Sequence, residues 1–190
     1  SYSIQLNNEN QIFITGGTMS DDLFTTSNTI HPDYNGGVDG FIVKFDQSYN
    51  TSAATYIGNS GYNQSYFLQV DIEGNIFIFG LTQSQLPISP SGVYNSTGSH
   101  FIQKINPELD SLMISSSFGT GSVTKTITPS AFLVSDCGLI YVCGWGGLSG
   151  VGSTANLPIT TDAFQSTTDG SDFYLGVFEQ DMQSLLYGAY

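Results

Sequence analysis

The residues of this chain that can do chemistry are few, and their spacing matches no catalytic or metal-binding motif. The two histidines, His31 and His100, have no cysteine or histidine neighbour at the spacing of zinc ligands. The sequence contains no G-x-S-x-G nucleophile elbow and no glycine-rich loop with the spacing of a phosphate cradle. It therefore predicts no catalytic residue, no cofactor-binding residue and no metal ligand.

Two short acidic segments have a spacing that suits the oxygen ligands of Ca²⁺. Asp71 and Glu73 are two positions apart, and Asp169 and Asp172 enclose a Gly-Ser pair. Neither segment matches an EF-hand loop, and Asp, Gly and Ser also satisfy backbone groups in ordinary turns. We expect turn chemistry at both segments and no cofactor, with calcium as the alternative.

An aromatic residue and two thiols complete the candidate groups. Trp145, in a short glycine-rich segment, is a candidate for stacking on a sugar, with packing as the alternative. Cys137 and Cys143 are six residues apart, about 20 Å of extended strand, whereas a disulfide needs Cα atoms within about 7 Å. If Cys143 lies on a strand entered from a turn at Cys137, the two thiols are not joined to each other.

The charge balance excludes two classes of partner. The formal net charge is −13, with three lysines and no arginine. Binding to nucleic acid needs a basic patch that neutralises phosphates, and binding to anionic lipid needs the same positive charge. No apolar run approaches the roughly 20 residues of a membrane-spanning helix. We expect neither nucleic-acid binding nor membrane insertion.

A repeat determines how the elements are organised. Residues 4–16, 68–80 and 132–144 follow one pattern, without gaps, at a fixed interval of 64 residues. Each copy has a short alternating segment, a polar turn and a stronger apolar strand that closes on glycine. A fixed period of this length indicates a modular array.

Two further strands follow each copy, so each unit of about 60 residues has four strands, as a β-propeller blade does. The apolar strand, such as 76–79, is apolar on both faces, as expected for a blade that lies between two others. Lys44 and Lys104 occupy the same position in the third strands, and we expect them to pair with nearby carboxylates such as Asp46. The glycine closing each copy either ends the strand or allows close backbone approach.

We therefore predict an all-β protein that is part of a β-propeller, with four-stranded antiparallel blades at 1–61, 62–121 and 122–190. A β-sandwich is the alternative fold, but it does not explain the repeat. Propellers typically have four to eight blades, so either the parent chain supplies the others or copies of the chain assemble. The 16 acidic residues leave one alternative function, a propeller glycosidase or polysaccharide lyase with an acidic site on its axial face.

The repeat resembles a known family. Residues 56–61, 70–82, 86–90 and 101–106 are similar to the SBBP family of β-propeller repeats. Residues 137–147 and 164–174 are similar to large Bacteroidota surface proteins. Such proteins often carry PKD-type domains and a type IX secretion sorting domain of the gliding-motility-associated kind.

The resemblance implies secretion to the cell surface or the medium, and a structural, adhesive or binding role without catalytic residues. The partners it implies are other blades or domains of the parent chain, other cell-surface or secretion-system proteins, and glycans. The triplet 110–112 resembles the O-glycosylation motif of Bacteroidota, with Ser111 as the acceptor.

Overall fold

The computed structural model of the 190-residue chain describes residues 1–95, 97–147 and 152–190, and these residues fold as β-strands and loops. The all-β prediction is confirmed. Within these ranges twelve strands form two sheets, one of eight strands and one of four. The strands are β1 Ser3–Leu6, β2 Ile12–Thr18, β3 Gly37–Phe45, β4 Thr51–Ile57, β5 Gly61–Val70, β6 Ile76–Thr82, β7 His100–Ile105, β8 Leu112–Phe118, β9 Thr128–Val134, β10 Ile140–Trp145, β11 Phe173–Phe178 and β12 Leu185–Ala189.

Sequential antiparallel pairing divides the strands into three groups of four. We call β1–β4, β5–β8 and β9–β12 the first, second and third meander. The first two belong to one sheet because β3 and β5 pair in parallel over two residues, Gly37 with Gly61 and Val38 with Tyr62. The third meander is a separate sheet, and within the described residues the strands do not close into a ring.

Polar side chains close the hairpin turns at one end of each meander. In the turn between β5 and β6, Asp71 Oδ1 accepts the backbone N–H groups of Glu73, at 3.0 Å, and Asn75, at 2.8 Å. Gly74 lies at φ +85°, a left-handed conformation that glycine adopts without strain. The turn residues therefore bond locally, as their composition predicts.

The core consists of two clusters, one on each side of the second meander. Ile76 and Ile78 pack with residues of the first meander, whereas Phe77 and Phe79 pack with residues of the third. All seven residues of β6 are buried. The expected cover on both faces is thus confirmed for this strand. In β2 and β10 alternate residues remain half-buried, because none of the described residues forms a sheet that packs on the outer faces of the first and third meanders.

Gly80 shows why glycine closes the repeated pattern. It lies inside β6, and an added Cβ would be 2.5 Å from the Phe101 ring and closer still to the backbone oxygen of Gln64. Gly16 and Gly144 likewise lie inside their strands with close neighbours. Two roles were expected for this glycine, ending the strand or allowing close backbone approach, and close approach is the role observed.

Candidate functional site

The contact between successive meanders occurs twice in the chain. We call the face that packs on the next meander the forward face, and the face that packs on the preceding one the back face. Forward residues Phe13 and Phe77, 64 positions apart, each lie in the cluster shared with the next meander. Back residues Ile76 and Ile140, also 64 positions apart, lie in the cluster shared with the preceding one. The same pattern of side chains therefore forms both contacts.

The turn between the third and fourth strands shows this equivalence in detail. Tyr49, Leu109 and Met182 each have a positive φ, of 63°, 62° and 57°. In each case the backbone N–H donates to the carbonyl three residues earlier, at 2.9 to 3.1 Å. Leu109 and Met182 are fully buried against the preceding meander, whereas Tyr49 is 76% exposed. The exposure of Tyr49 shows that the back face of the first meander is uncovered at this turn, whereas Ala54 and Tyr56 on the same face are buried and bonded to the loop between β2 and β3.

The second uncovered surface is the forward face of the third meander. Trp145 lies opposite Phe173, Cys143 lies opposite Leu175, and all four point to the same face because paired residues share a side of the sheet. Phe173 is 72% exposed, while Trp145, Cys143 and Leu175 are half-buried. Trp145, the predicted sugar-stacking residue, thus lies on an apolar sheet face beside a second aromatic ring.

Ser111, the predicted O-glycosylation acceptor, lies in the exposed turn between β7 and β8. Its backbone N–H donates to Asn106 Oδ1 at 2.9 Å, and its carbonyl accepts from the Asn106 N–H at 3.1 Å. The structure does not bring Ser111 and Trp145 together. They belong to different meanders. Ser111 lies in a hairpin turn, whereas Trp145 is the last residue of β10, at the opposite end of that strand from the turn between β9 and β10.

The two strand lysines have structural partners. Lys104 Nζ lies 3.3 Å from Asp71 Oδ2, with both side chains largely buried, and 5.0 Å from the ring centre of Phe77. Lys44 Nζ donates to the carbonyl of Pro107 at 3.1 Å, which ties the first meander to the second. The expected lysine–carboxylate pair is therefore present for Lys104.

For Lys44 the expectation of a pair with Asp46 is wrong. Asp46 Oδ1 accepts the backbone N–H groups of Ser48, at 2.8 Å, and Asn50, at 2.9 Å. These bonds lower the pKa of the Asp46 carboxyl, because they stabilise its charged form. Asp46 thus acts within its own turn, while Lys44 reaches across to the next meander.

The acidic segments considered for calcium are engaged in local hydrogen bonds. Asp169 Oδ1 accepts the N–H of Ser171 at 2.8 Å, and Asp172 Oδ2 accepts the hydroxyl of Thr168 at 2.6 Å. Asp71 is occupied by its turn and by Lys104. Over 1–95, 97–147 and 152–190 no three His, Cys, Asp or Glu side chains are grouped as metal ligands.

His100 is a fully buried histidine between the second and third meanders. Its Nε2 is 3.1 Å from the Ile127 carbonyl, which can only accept, so Nε2 carries the proton. Its Nδ1 then accepts from the hydroxyls of Ser99 and Thr126, each at 3.3 Å. The ring stacks on Phe118 with centroids 5.2 Å apart. Burial lowers the pKa of His100 to about 4, so the imidazole is neutral near pH 7.

A second buried polar group was not signalled by the sequence. Asp39 is fully buried in β3 and accepts the N–H of Asn35 at 2.7 Å through Oδ2. Its Oδ1, like Ser65 Oγ, has no hydrogen-bond partner within the described residues. Burial raises the pKa of Asp39 and lowers the pKa of His31, while the attraction between the two groups opposes both shifts. No spacing in the sequence distinguishes Asp39 from an ordinary turn aspartate.

The two cysteines are free and chemically different. Cys137 is exposed in the turn before β10, and its Sγ lies 3.1 Å from Ser135 Oγ. That hydrogen bond lowers the pKa of the Cys137 thiol, whereas burial raises the pKa of Cys143. The prediction that the two do not form a disulfide with each other is confirmed.

Two grooves follow the seams between meanders. The groove between the second and third has a volume of about 420 Å³ and is lined in part by Pro90, Met113 and Asp181. The groove between the first and second, of about 280 Å³, is more polar and includes Glu9 and Glu73. The first lies where the loop between β6 and β7 and strand β8 meet the turn between β11 and β12, and the second lies where hairpin turns of the first and second meanders meet.

None of the described segments folds into a helix that could cross a membrane. No protein-family model and no curated protein matches this sequence.

Proposed function

We propose that the chain is a non-catalytic segment of a β-propeller of the SBBP repeat type, with each meander a blade and blades at 1–61, 62–121 and 122–190. The observation that carries the proposal is the contact that occurs twice between forward and back faces. A two-layer sandwich leaves the outer face of each sheet in solvent. The second meander, in contrast, is covered on both faces, which favours the blade arrangement.

The position of the acidic residues supports a non-catalytic role over a glycosidase or lyase. The first strands β1, β5 and β9 lie side by side and would line the axis of a propeller. None of these strands contains Asp or Glu. Asp46, Asp71 and Asp169 accept backbone N–H groups in turns, where a carboxylate has a structural use.

Within this proposal the chain serves a secreted or cell-surface protein as a structural, adhesive or binding scaffold. The resemblance to type IX secretion substrates associated with gliding motility supports that location. Charged residues make up only 10% of the chain, so its loops present mainly uncharged polar groups. Loops of this kind suit other surface proteins, secretion-system proteins or glycans as partners, and exposed Ser111 suits O-glycosylation.

A paired assay of turnover and binding tests the proposal. The protein is incubated with a panel of polysaccharides, and new reducing ends and unsaturated products are measured beside binding to the same panel immobilised on an array. We expect no turnover. Turnover that is lost in Asp39→Asn would establish an enzyme and overturn the proposal, because Asp39 is the buried carboxylate with an unpaired oxygen among the described residues.

Mass spectrometry of the protein secreted by a Bacteroidota host tests the location and the modification together. We expect the protein in the medium or on the cell surface, with a glycan on Ser111. The matched control is Ser111→Ala, which removes the acceptor hydroxyl while the backbone bonds of the turn remain. Retention of the unmodified protein inside the cell would count against the secreted scaffold.

A further inference from the structure

We propose that a calcium ion binds at a cluster of uncharged oxygen atoms between the first and second meanders, beside the buried carboxylate of Asp39. The cluster, here called the oxygen cluster, consists of side-chain oxygens of Asn59, Asn63, Thr82 and Ser84 and the carbonyl oxygen of Ser84. Asn59 lies between β4 and β5, Asn63 lies in β5, and Thr82 is the last residue of β6. Neither the propeller assignment nor the scaffold role proposed above is needed for this site.

Five pairs of oxygen atoms in the cluster lie within hydrogen-bonding distance. Thr82 Oγ1 is 2.8 Å from Asn63 Oδ1, 2.7 Å from the Ser84 carbonyl oxygen and 3.1 Å from Ser84 Oγ. Ser84 Oγ is 3.0 Å from Asn63 Oδ1 and also contacts Asn59 Oδ1. Asn63 and Thr82 are buried, so bulk water does not separate these oxygens.

The orientation of both amide side chains is fixed by backbone carbonyls. Asn63 Nδ2 donates to the Asn59 carbonyl at 2.6 Å, and Asn59 Nδ2 donates to the Gln85 carbonyl at 2.8 Å. Because a carbonyl oxygen can only accept, the nitrogen of each amide faces that carbonyl, and the Oδ1 atom faces the cluster. Neither amide therefore supplies a proton to the five oxygen pairs.

The oxygen cluster contains too few protons for its contacts. The hydroxyl groups of Thr82 and Ser84 supply one proton each, so at most two of the five pairs can be ordinary hydrogen bonds. The other pairs bring oxygen lone pairs together, which is unfavourable unless a positive charge lies among them. Ca²⁺ takes oxygen ligands at about 2.3–2.6 Å, so that neighbouring ligands are about 3 Å apart. The pairs at 2.7 to 3.1 Å match this spacing.

The equivalent turn of the first meander has no such deficit. Thr18 and Ser20 lie 64 positions before Thr82 and Ser84, and in both turns the serine N–H donates to the threonine hydroxyl oxygen at 3.0 Å. The Ser20 hydroxyl contacts the carboxylate of Asp22, for which its one proton is sufficient. The crowding of oxygens is therefore specific to the second meander and is not a general property of this turn.

Asp39 supplies a second, independent indication of a cation. Asp39 and Asn63 each lie one residue beyond the last pair of the parallel strands β3 and β5. Asp39 is fully buried, and in the part of the chain that the structure describes its Oδ1 has no hydrogen-bond partner. Burial raises the pKa of Asp39, and a hydrogen bond with the Asn63 side chain lowers it. A cation beside Asn63 would supply the positive charge that this buried carboxylate lacks.

The position of the cluster allows an ion to enter and gives it a structural effect. Ser84 and Asn59 are partly exposed, and Ser84 borders a groove of about 170 Å³. A bound ion would join the segment between the first two meanders to the end of β6. Apart from Asp39 the oxygens are uncharged, which is why no acidic motif in the sequence indicates the site.

The test is calcium binding by isothermal titration calorimetry, combined with urea unfolding in EDTA and in CaCl₂ at constant ionic strength. The wild type is compared with Ser84→Ala, which removes the most crowded hydroxyl, and with Asp39→Asn, which removes the charge. The matched control is Ser20→Ala, the same substitution at the equivalent position of the first meander. Constant ionic strength is needed because the net charge of −13 is itself screened by salt.

We expect one calcium ion per wild-type chain, with a Kd of about 10⁻⁴ to 10⁻³ M because the site has one carboxylate. Calcium at ten times this Kd should raise the folding equilibrium constant about elevenfold. Ser20→Ala should keep this response, Ser84→Ala should lose it, and Asp39→Asn should bind at least tenfold more weakly. In EDTA, Ser84→Ala should be at least as stable as the wild type, because the crowded oxygen is gone.

Four results would overturn the proposal. The first is a wild type that does not respond to calcium, and the second is a calcium response that Ser84→Ala retains, which would place the ion elsewhere on the acidic surface. The third is a loss of stability in Ser84→Ala in EDTA, as expected for a serine in ordinary hydrogen bonds. The fourth is an equal response to Mg²⁺, which keeps several of its waters and should give a smaller shift.

Discussion

The buried imidazole of His100 makes the stability of this protein depend on pH in a specific window. In the unfolded chain a histidine has a pKa of 6.5, and in the folded protein the pKa of His100 is about 4. Between these two values the unfolded state binds a proton that the folded state excludes. The free energy of unfolding is therefore largest above about pH 6.5 and decreases as the pH falls towards 4.

The size of this effect follows from the two pKa values. A pKa that falls from 6.5 to about 4 corresponds to about 3 kcal/mol of stability lost between neutral pH and pH 4. The side chain is fully buried, so no reduction for solvent screening applies. Burial is the cause: the ring is stacked on Phe118 away from water, which disfavours the imidazolium, and this outweighs the hydrogen bond from Nε2–H to the Ile127 carbonyl, which raises the pKa.

The assay is urea unfolding at a series of pH values, followed by circular dichroism, for the wild type and His100→Gln. Carboxylates titrate in the same window, so the informative quantity is the difference between the two proteins. We expect His100→Gln to be the less stable protein at neutral pH, because it loses the stacked ring. The difference in the free energy of unfolding between the two proteins should shift by about 3 kcal/mol in favour of His100→Gln as the pH falls to about 4.

His31→Gln is the matched control, because it changes the other histidine and retains His100. This control should keep most of the decrease in the free energy of unfolding that the wild type shows between neutral pH and pH 4. Parallel stability curves for the wild type and His100→Gln would refute the reasoning, since they would mean that His100 binds its proton equally well in both states.

Three further predictions concern the turns, the strand glycines and the thiols. Asp71→Ala should lower the free energy of unfolding by about 2 kcal/mol, because it removes both a turn acceptor and the partner of the largely buried Lys104. A double-mutant cycle with Lys104, measured by urea unfolding, should show coupling between the two residues. Gly80→Ala should lower the free energy of unfolding by more than about 2 kcal/mol in the same measurement, because its Cβ would meet backbone. Gly36→Ala, which has open space around it and a φ of +95°, should lower it by only about 1 kcal/mol. Equal losses of stability in the two variants would contradict the steric argument. Iodoacetamide should alkylate Cys137 before Cys143 in the native protein, with the order read by peptide mass spectrometry. The Cys137 thiol is exposed and has a lowered pKa, whereas the Cys143 thiol is half-buried and has a raised pKa. The reverse order of alkylation would show that the placement of the two thiols is wrong.

Much of the architecture was predictable because it depends on local patterns. The continuous apolar run at 76–79 predicted a strand covered on both faces, and β6 is buried along its whole length. The turn at Asp71 was predictable from residue types that bond their own backbone. Even the separation of Cys137 from Cys143 followed from strand geometry.

Other features were not predictable, because they depend on which surfaces meet. The expected partner of Lys44 was Asp46, two residues away, but its observed partner is Pro107 on the next meander. The buried state of His100 is set by rings that come from β6 and β8, on either side of it in the sequence. Asp39 is another such case, since no periodicity distinguishes a buried aspartate from a solvated one.

The sequence by itself determined the strands, the turns and their repetition, because side-chain alternation and turn chemistry act over a few residues. Only the tertiary structure decided which equivalent positions are core and which are surface. Tyr49 and Leu109 have the same backbone conformation and the same turn hydrogen bond, yet one is exposed and the other is buried. The physical reason is that burial requires a second surface, and the second meander has a neighbour on both sides while the first and third have a neighbour on one side only.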